Sequence, residues 1–277
     1  MKKSAFHLIA SLVSLCLFVA GLMTPYTASC QNDDRIYIQA GFMKVKPGMY
    51  DEYVKLEREI WKPIHQERVK QGKIITWQLC EVMYPAGTDR EYDFVVVNLV
   101  RGWKNIETMW DGTDAIAKKV LTKEQLALME KTDQARDIVR AEIWAQEDGI
   151  FRSPNGGPPY KYMTVGFRDV PNGFGKWAEY ASMEKEIAKP LHQQKINAGK
   201  MAGWVLDYIV YPYDATKPGS VCTIDFFDKW EDLMDANWWE ELKKLHPDMD
   251  FDYLRRRTFE SNKIHRIELR RLVDYTN

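Results

Sequence analysis

Over residues 35–45 apolar and polar side chains alternate as in a strand, and over 48–71 the apolar residues Tyr53, Leu56, Ile60 and Ile64 recur at helical spacing until Gly72 stops them. Residues 74–84 and 92–100 are again rich in β-branched and aromatic side chains, with a Pro/Gly turn between them. A second helical region follows and carries a capping-box pattern, Thr122-Lys123-Glu124-Gln125, before residues 138–145 alternate once more. The pattern predicts the order β-α-β-β-α-β.

The order is predicted twice, because the chain contains an internal repeat. Lys62-Pro63-Ile64-His65-Gln66 recurs as Lys189-Pro190-Leu191-His192-Gln193. Gly72-Lys73, Trp77, Tyr84-Pro85 and Trp103 recur at the same offset of 127 residues as Gly199-Lys200, Trp204, Tyr211-Pro212 and Trp230. The copies are expected over 35–147 and 160–277, joined by a linker over 148–159 that contains Pro154, Gly156, Gly157, Pro158 and Pro159.

The predicted order is that of the ferredoxin-like split βαβ unit, an antiparallel sheet with both helices on one face. The other face needs a partner, and a second copy in the same chain supplies it. On element order and duplication the chain resembles the dimeric α/β-barrel superfamily, with the dimer fused into one chain. The resemblance implies an α+β fold of two tandem units closing a pseudo-dimeric barrel. That superfamily holds small monooxygenases, haem-dependent enzymes, isomerases and proteins without assigned chemistry, so it leaves the reaction open.

Composition narrows the partners. At 45% hydrophobic and 29% charged residues the chain is globular rather than disordered, and 39 Lys+Arg against 40 Asp+Glu leave no basic field for nucleic acid. Lys2 and Lys3, followed by a mostly apolar run over 8–23, read as a secretory signal over 1–29, the run being shorter than the roughly 18 residues that span a bilayer. Thr27-Ala28-Ser29-Cys30, followed by an acidic tether over 30–34, resembles a lipoprotein processing site with Cys30 as the lipidated residue; plain cleavage near Ser29 is the alternative. Export follows on either reading, as a lipoprotein of the periplasm, outer membrane or cell surface or else as a secreted protein, with membrane contact only through the lipid. Cys80 and Cys222, inside apolar strands, are expected to be separate buried thiols.

Candidate chemistry comes from sorting strand residues by face. Val95, Val97 and Leu99, with Cys222, Ile224 and Phe226, form an apolar face expected to pack on the helices. The opposite face carries Asn98 and Asp225 on the third strands, Tyr37 and Tyr162 on the first, and Arg140, Glu142, Arg266 and Glu268 on the last. If these groups line the barrel interior, they either bind a small organic ligand, an anionic one at Arg140, or pair with one another to join the two sheets. His65 and His192, each two residues after a helix proline, are the candidate catalytic residues. Each is a general base or an axial haem ligand facing a cleft, or else a helix histidine bonded to a freed carbonyl. No metal-ligand spacing survives in both copies and no cofactor is expected, haem being the one alternative. The repeated Trp103 and Trp230 are expected in the core or an interface. The doublet Trp238-Trp239 raises carbohydrate binding at the cell surface. The sequence thus supports a small-molecule-binding barrel, an oxygenase or isomerase without cofactor, against a noncatalytic lipoprotein.

Overall fold

The computed structural model describes residues 33–153, 158, 160–170, 174–213, 219–234 and 237–276. The expected signal, Cys30 and most of the Pro/Gly linker lie outside the described residues. β1 (Ile36–Val45) leads through Gly48 into α1 (Tyr50–Leu56), a π-helical turn (Glu57–Trp61) and α2 (Lys62–Lys70). β2 (Thr76–Tyr84) and β3 (Phe94–Arg101) follow, then the short helices α3 (Trp103–Thr108), α4 (Thr113–Val120), α5 (Lys123–Met129) and α6 (Thr132–Ala135), and β4 (Arg136–Phe151). The series repeats as β5 (Tyr162–Asp169), α7 (Phe174–Met183), a π turn (Glu184–Ala188), α8 (Lys189–Asn197), β6 (Gly203–Tyr211) and β7 (Val221–Phe227). A 3-10 turn (Trp230–Leu233), α9 (Trp238–Leu245), α10 (Phe251–Ser261) and β8 (Lys263–Tyr275) complete it.

Local signals explain the boundaries. Gly72 and Gly199 end their helices at φ of 69° and 72°, a conformation that side chains with a Cβ resist. At α5 the capping box forms in full: Thr122 Oγ1 accepts from the Gln125 amide at 3.2 Å, and Gln125 Oε1 accepts from the Thr122 amide at 2.9 Å. Pro63 has no N–H to offer Glu59, and the Gln125 side chain donates to that freed carbonyl at 3.2 Å. The π turns precede the Lys-Pro step in both copies, so the helix widens there rather than opening a cleft.

The eight strands close into an antiparallel barrel in the order β1-β3-β2-β8-β5-β7-β6-β4. Four strands come from each half, and the seams are β2–β8 and β4–β6. β4 runs past residue 147: Asp148–Phe151 still pair with β6, across from Leu206, Val205, Trp204 and Gly203, so the expected linker begins inside a strand.

Helices cover the outside of the barrel. In the first half Tyr53, Leu56, Ile60 and Ile64 pack on Trp77, Leu79, Phe94, Val96 and Val100; in the second, Tyr180, Met183 and Ile196 pack on Trp204, Leu206, Val221 and Phe227. Trp77 and Trp204 are 0% and 1% exposed, and truncating either ring is expected to cost roughly 3–5 kcal/mol. This packing corrects the face assignment made from sequence. Val95, Val97 and Leu99, with Cys222, Ile224 and Phe226, turn to the barrel interior, while their neighbours Phe94, Val96, Val100, Val221 and Phe227 meet the helices. Both faces of the third strands are largely apolar, so alternation alone could not say which one the helices take.

Candidate functional site

Every strand contributes to a cavity of about 640 Å³ inside the barrel, within the range that holds a small ligand. Its wall is mostly apolar: Ile36, Ile38, Val95, Val97, Leu99, Met163, Val165, Val205 and Ile224, with the rings of Phe42, Trp144, Phe151, Phe167 and Phe226. Polar groups interrupt it at few places. Gln78 accepts from the Tyr160 hydroxyl at 2.6 Å, and Thr76 Oγ1 donates to the Thr276 carbonyl. Arg270 is bound to Glu268 at 2.6 Å, and Arg101 donates to the Asp34 carbonyl at 3.2 Å. Cys80 and Cys222 are both free and buried, and burial raises both thiols, Cys80 to about 12, so neither is a ready thiolate.

Asp207 is the exception. It lies in mid-β6, 4% exposed, in register with Gln146 on β4 and Cys222 on β7. Its Oδ1 is enclosed without a hydrogen-bond partner. With no cation to offset burial, its carboxyl is pushed up to about 8, so it carries a proton at neutral pH. Sequence reasoning missed it by looking for matches between the copies. The signal was a mismatch, because Cys80 stands 127 residues earlier.

The ten predicted site residues fall into two groups, and neither lines the cavity. Arg140, Glu142, Arg266 and Glu268 do lie on inward-facing positions of β4 and β8, across from Phe42, Ala40, Phe167 and Val165. They sit at one end of the barrel, with the guanidinium groups of Arg140 and Arg266 over the rings of Phe42 and Phe167 at 4.3 and 4.8 Å. Each arginine is 2.8 Å from the carboxylate two residues on. Glu142 also accepts from Trp144 Nε1 at 2.9 Å, and Glu268 from the Tyr92 hydroxyl at 2.5 Å and from Arg270. The expected anion site at Arg140 is therefore corrected to an ion-paired closure of the barrel, and Arg266 pairs with Glu268 rather than with Asp225.

Tyr37, Asn98, Tyr162, Asp225, His65 and His192 are on the helix side of the strands. Tyr37 meets Trp103 and Tyr162 meets Trp230 edge-on, at 5.3 and 5.5 Å. Asn98 Nδ2 donates to Gln39 Oε1 at 2.9 Å, and Thr164 Oγ1 donates to Asp225 at 3.3 Å. His65 stacks on Trp77 and His192 on Trp204, with 5.3 Å between ring centroids in both. These histidines are 2% and 5% exposed, so the expectation that proline would aim them into a cleft is corrected: they are core residues between helix and sheet. Burial holds His65 well below its ordinary value and lowers His192 to about 4, leaving both neutral. His65 Nδ1 is 2.8 Å from Arg68 Nη1, which fixes it as the acceptor. His192 Nδ1 is 3.7 Å from Asp225, whose carboxyl burial raises to about 6. Trp103 and Trp230 are 41% and 50% exposed, so of the two expected places neither is in the core, while Trp103 packs on Tyr211 of the other half; of the doublet, Trp238 packs on His192 and Trp239 is 40% exposed.

This donor set does not fit a haem. Among the described residues no histidine lines the cavity, the two repeated histidines are stacked inside packed cores, and the thiols on the wall hold their protons. Among the described residues no three His, Cys, Asp or Glu side chains cluster as a metal site would need.

No family model matches the chain, and no curated protein matches it. Solved structures do. The chain is similar to a "Putative monooxygenase" from Fusobacterium nucleatum at 9% identity and a TM-score of 0.50, covering 88% of this chain and 94% of that one. It is also similar to a novel heme-binding protein from Thermus thermophilus at 10% identity and a TM-score of 0.46, covering 87% and 92%. A mutant chlorite dismutase from Candidatus Nitrospira defluvii matches at 12% identity and a TM-score of 0.46, covering 86% and 91%. At such identities the likeness is one of fold: the chain has the dimeric α/β-barrel architecture.

Proposed function

We propose that the barrel interior binds a small, predominantly apolar organic molecule and acts on it without a bound cofactor, as an oxygenase or isomerase. The observation that carries this is the cavity itself: about 640 Å³ of space walled by all eight strands, with one unpartnered acid in it. Protein interiors are otherwise close-packed, and a mostly apolar space of this size is costly unless something occupies it. Both reactions move a proton of the substrate away from bulk water, and Asp207 is a group on the wall able to hold one. The halves are read as two ferredoxin-like units, 35–147 and 160–277, whose inward faces jointly make the site.

The test is a cavity plug. Nile red, an uncharged apolar dye, should bind the purified chain with enhanced fluorescence, and Val165→Trp, which fills the space from β5, should abolish that signal while circular dichroism stays unchanged. Equal dye binding by the plugged variant would move the site elsewhere.

The same reading includes export and acylation at Cys30. A diacylated cysteine supplies the two chains that stable anchoring requires, and no helix among the described residues is long and apolar enough to cross a membrane. Cys30→Ala is expected to shift the protein from the membrane fraction to the soluble one; a wild type already soluble would remove the anchor.

A further inference from the structure

The repeat gives cavity positions on one half counterparts on the other, so places where the counterparts differ in chemistry stand out. Cys80 and Asp207 are such a pair. Each lies on the second strand of its half, in register with the third: Cys80 with Val95, and Asp207 with Cys222. A thiol is at ease in an apolar wall, whereas a carboxyl with an unpartnered oxygen is not.

Among the described residues no side chain pairs with Asp207 Oδ1. β4 faces it with the uncharged Gln146, and Glu142 on that strand is held by Arg140 and Trp144. The other titratable groups on the wall are the two thiols, which burial keeps protonated, Arg270, which Glu268 neutralises, and Arg101, which is bonded to the Asp34 carbonyl. Asp207 thus lines the space a ligand would fill with one carboxyl oxygen, Oδ1, enclosed and unpartnered.

We propose that Asp207 is the recognition group of the barrel: protonated, it donates a hydrogen bond to a lone acceptor, a carbonyl oxygen or ring nitrogen, on an uncharged and otherwise apolar ligand. The proposal rests on the reading of the barrel interior as the binding site. It selects for an acceptor on a mostly apolar ligand because the wall around Asp207 is mostly apolar, with Val205, Cys222 and Ile224 beside the single amide of Gln146, so few further polar groups would find a partner. It selects against an anionic group at this position because that group would meet a carboxyl there. The raised titration of Asp207, near pH 8, agrees with a group that keeps its proton at neutral pH.

Fluorene and fluorenone, rigid tricyclic probes that differ by one carbonyl oxygen, test this on the full chain. At pH 6.5 fluorenone is expected to bind about tenfold more tightly than fluorene. The gap should close as pH rises through 8 and Asp207 ionises. Asp207→Leu should bind both probes alike, at the fluorene level, and its retained fluorene binding reports that the fold and cavity are intact. Asp207→Asn, whose amide still donates, should keep the preference at every pH. Equal binding of the two probes by the wild type, or a carbonyl preference that survives in Asp207→Leu, overturns the proposal. Binding of neither probe by the wild type would instead overturn the cavity reading beneath it, and the proposal with it.

Discussion

In the first half of the barrel Cys80 and Trp144 stand on the cavity wall where the second half has Asp207 and Arg270. What joins helix to sheet is shared: a histidine stacked at 5.3 Å on a buried tryptophan, a Lys-Pro step after a π turn, a glycine at positive φ. The contrast extends to the ion pairs. Glu142 is held by one arginine and the indole of Trp144, while Glu268 is held by two arginines and a tyrosine. Positions that carry the fold tolerate little change in either copy, whereas positions facing the cavity can diverge, since only one wall of a shared site needs the polar group.

The largest expected effect tests that divergence through pH. Below its ordinary value of 3.8 Asp207 is protonated whether the chain is folded or not. Between 3.8 and about 8 the folded chain keeps a proton that the unfolded chain gives up. This group therefore makes stability fall as pH rises across that window, by up to about 1.4 kcal/mol per unit, and its effect levels off above about 8. In urea titrations from pH 5 to 9 Asp207→Asn should lose that component of the slope. Identical slopes in the two proteins would mean that Asp207 has a partner or access to water.

Next in size are the arginines. Arg270→Leu removes one of two guanidinium groups from a carboxylate that is 2% exposed, and should cost about 3 kcal/mol, much of it recovered by adding Glu268→Leu. Burial is the largest influence on Glu268 and raises its pKa, but Arg270 and Arg266 together hold it below the ordinary 4.5. Its contribution is accordingly complete above pH 4.5 and lost as pH falls below that. Arg140→Leu, at a partly solvated pair, should cost under about 1 kcal/mol. Equal losses at Arg140 and Arg270 would erase the asymmetry.

The smallest effect separates the two layers. His65→Phe and His192→Phe keep a ring on Trp77 or Trp204 and should cost about 1 kcal/mol, more at His65 because Arg68 loses an acceptor there. Nile red affinity should not change in either. A loss of dye binding would place the histidines in the site after all.

The repeat was legible because Trp, Gly, Pro and His at one offset mark core packing, helix ends and bends, which a duplicated fold must keep. The closed eight-stranded barrel was legible from the same copies, each offering a sheet face that needs the other. The faces were not. Asn98 donates to Gln39, and Thr164 to Asp225, beneath the helices, so polarity there marks a buried pair rather than an open surface. Alternation placed Arg140 and Glu142 correctly on the inward side, but it holds no information on depth along the barrel, and the cavity stops short of them. Asp207 was visible only as a difference, a single acid in an apolar strand where the other copy has cysteine.

The proposed ligand site is the barrel interior and not the histidine layer. Mass spectrometry of small molecules extracted with solvent from wild type and Val165→Trp, both purified from the native host, tests it most directly. The expected result is an uncharged, mostly apolar compound carrying a hydrogen-bond acceptor, present with the wild type and absent from the plugged variant. Haem in the extract, or the same compound in equal amount from both proteins, would contradict it.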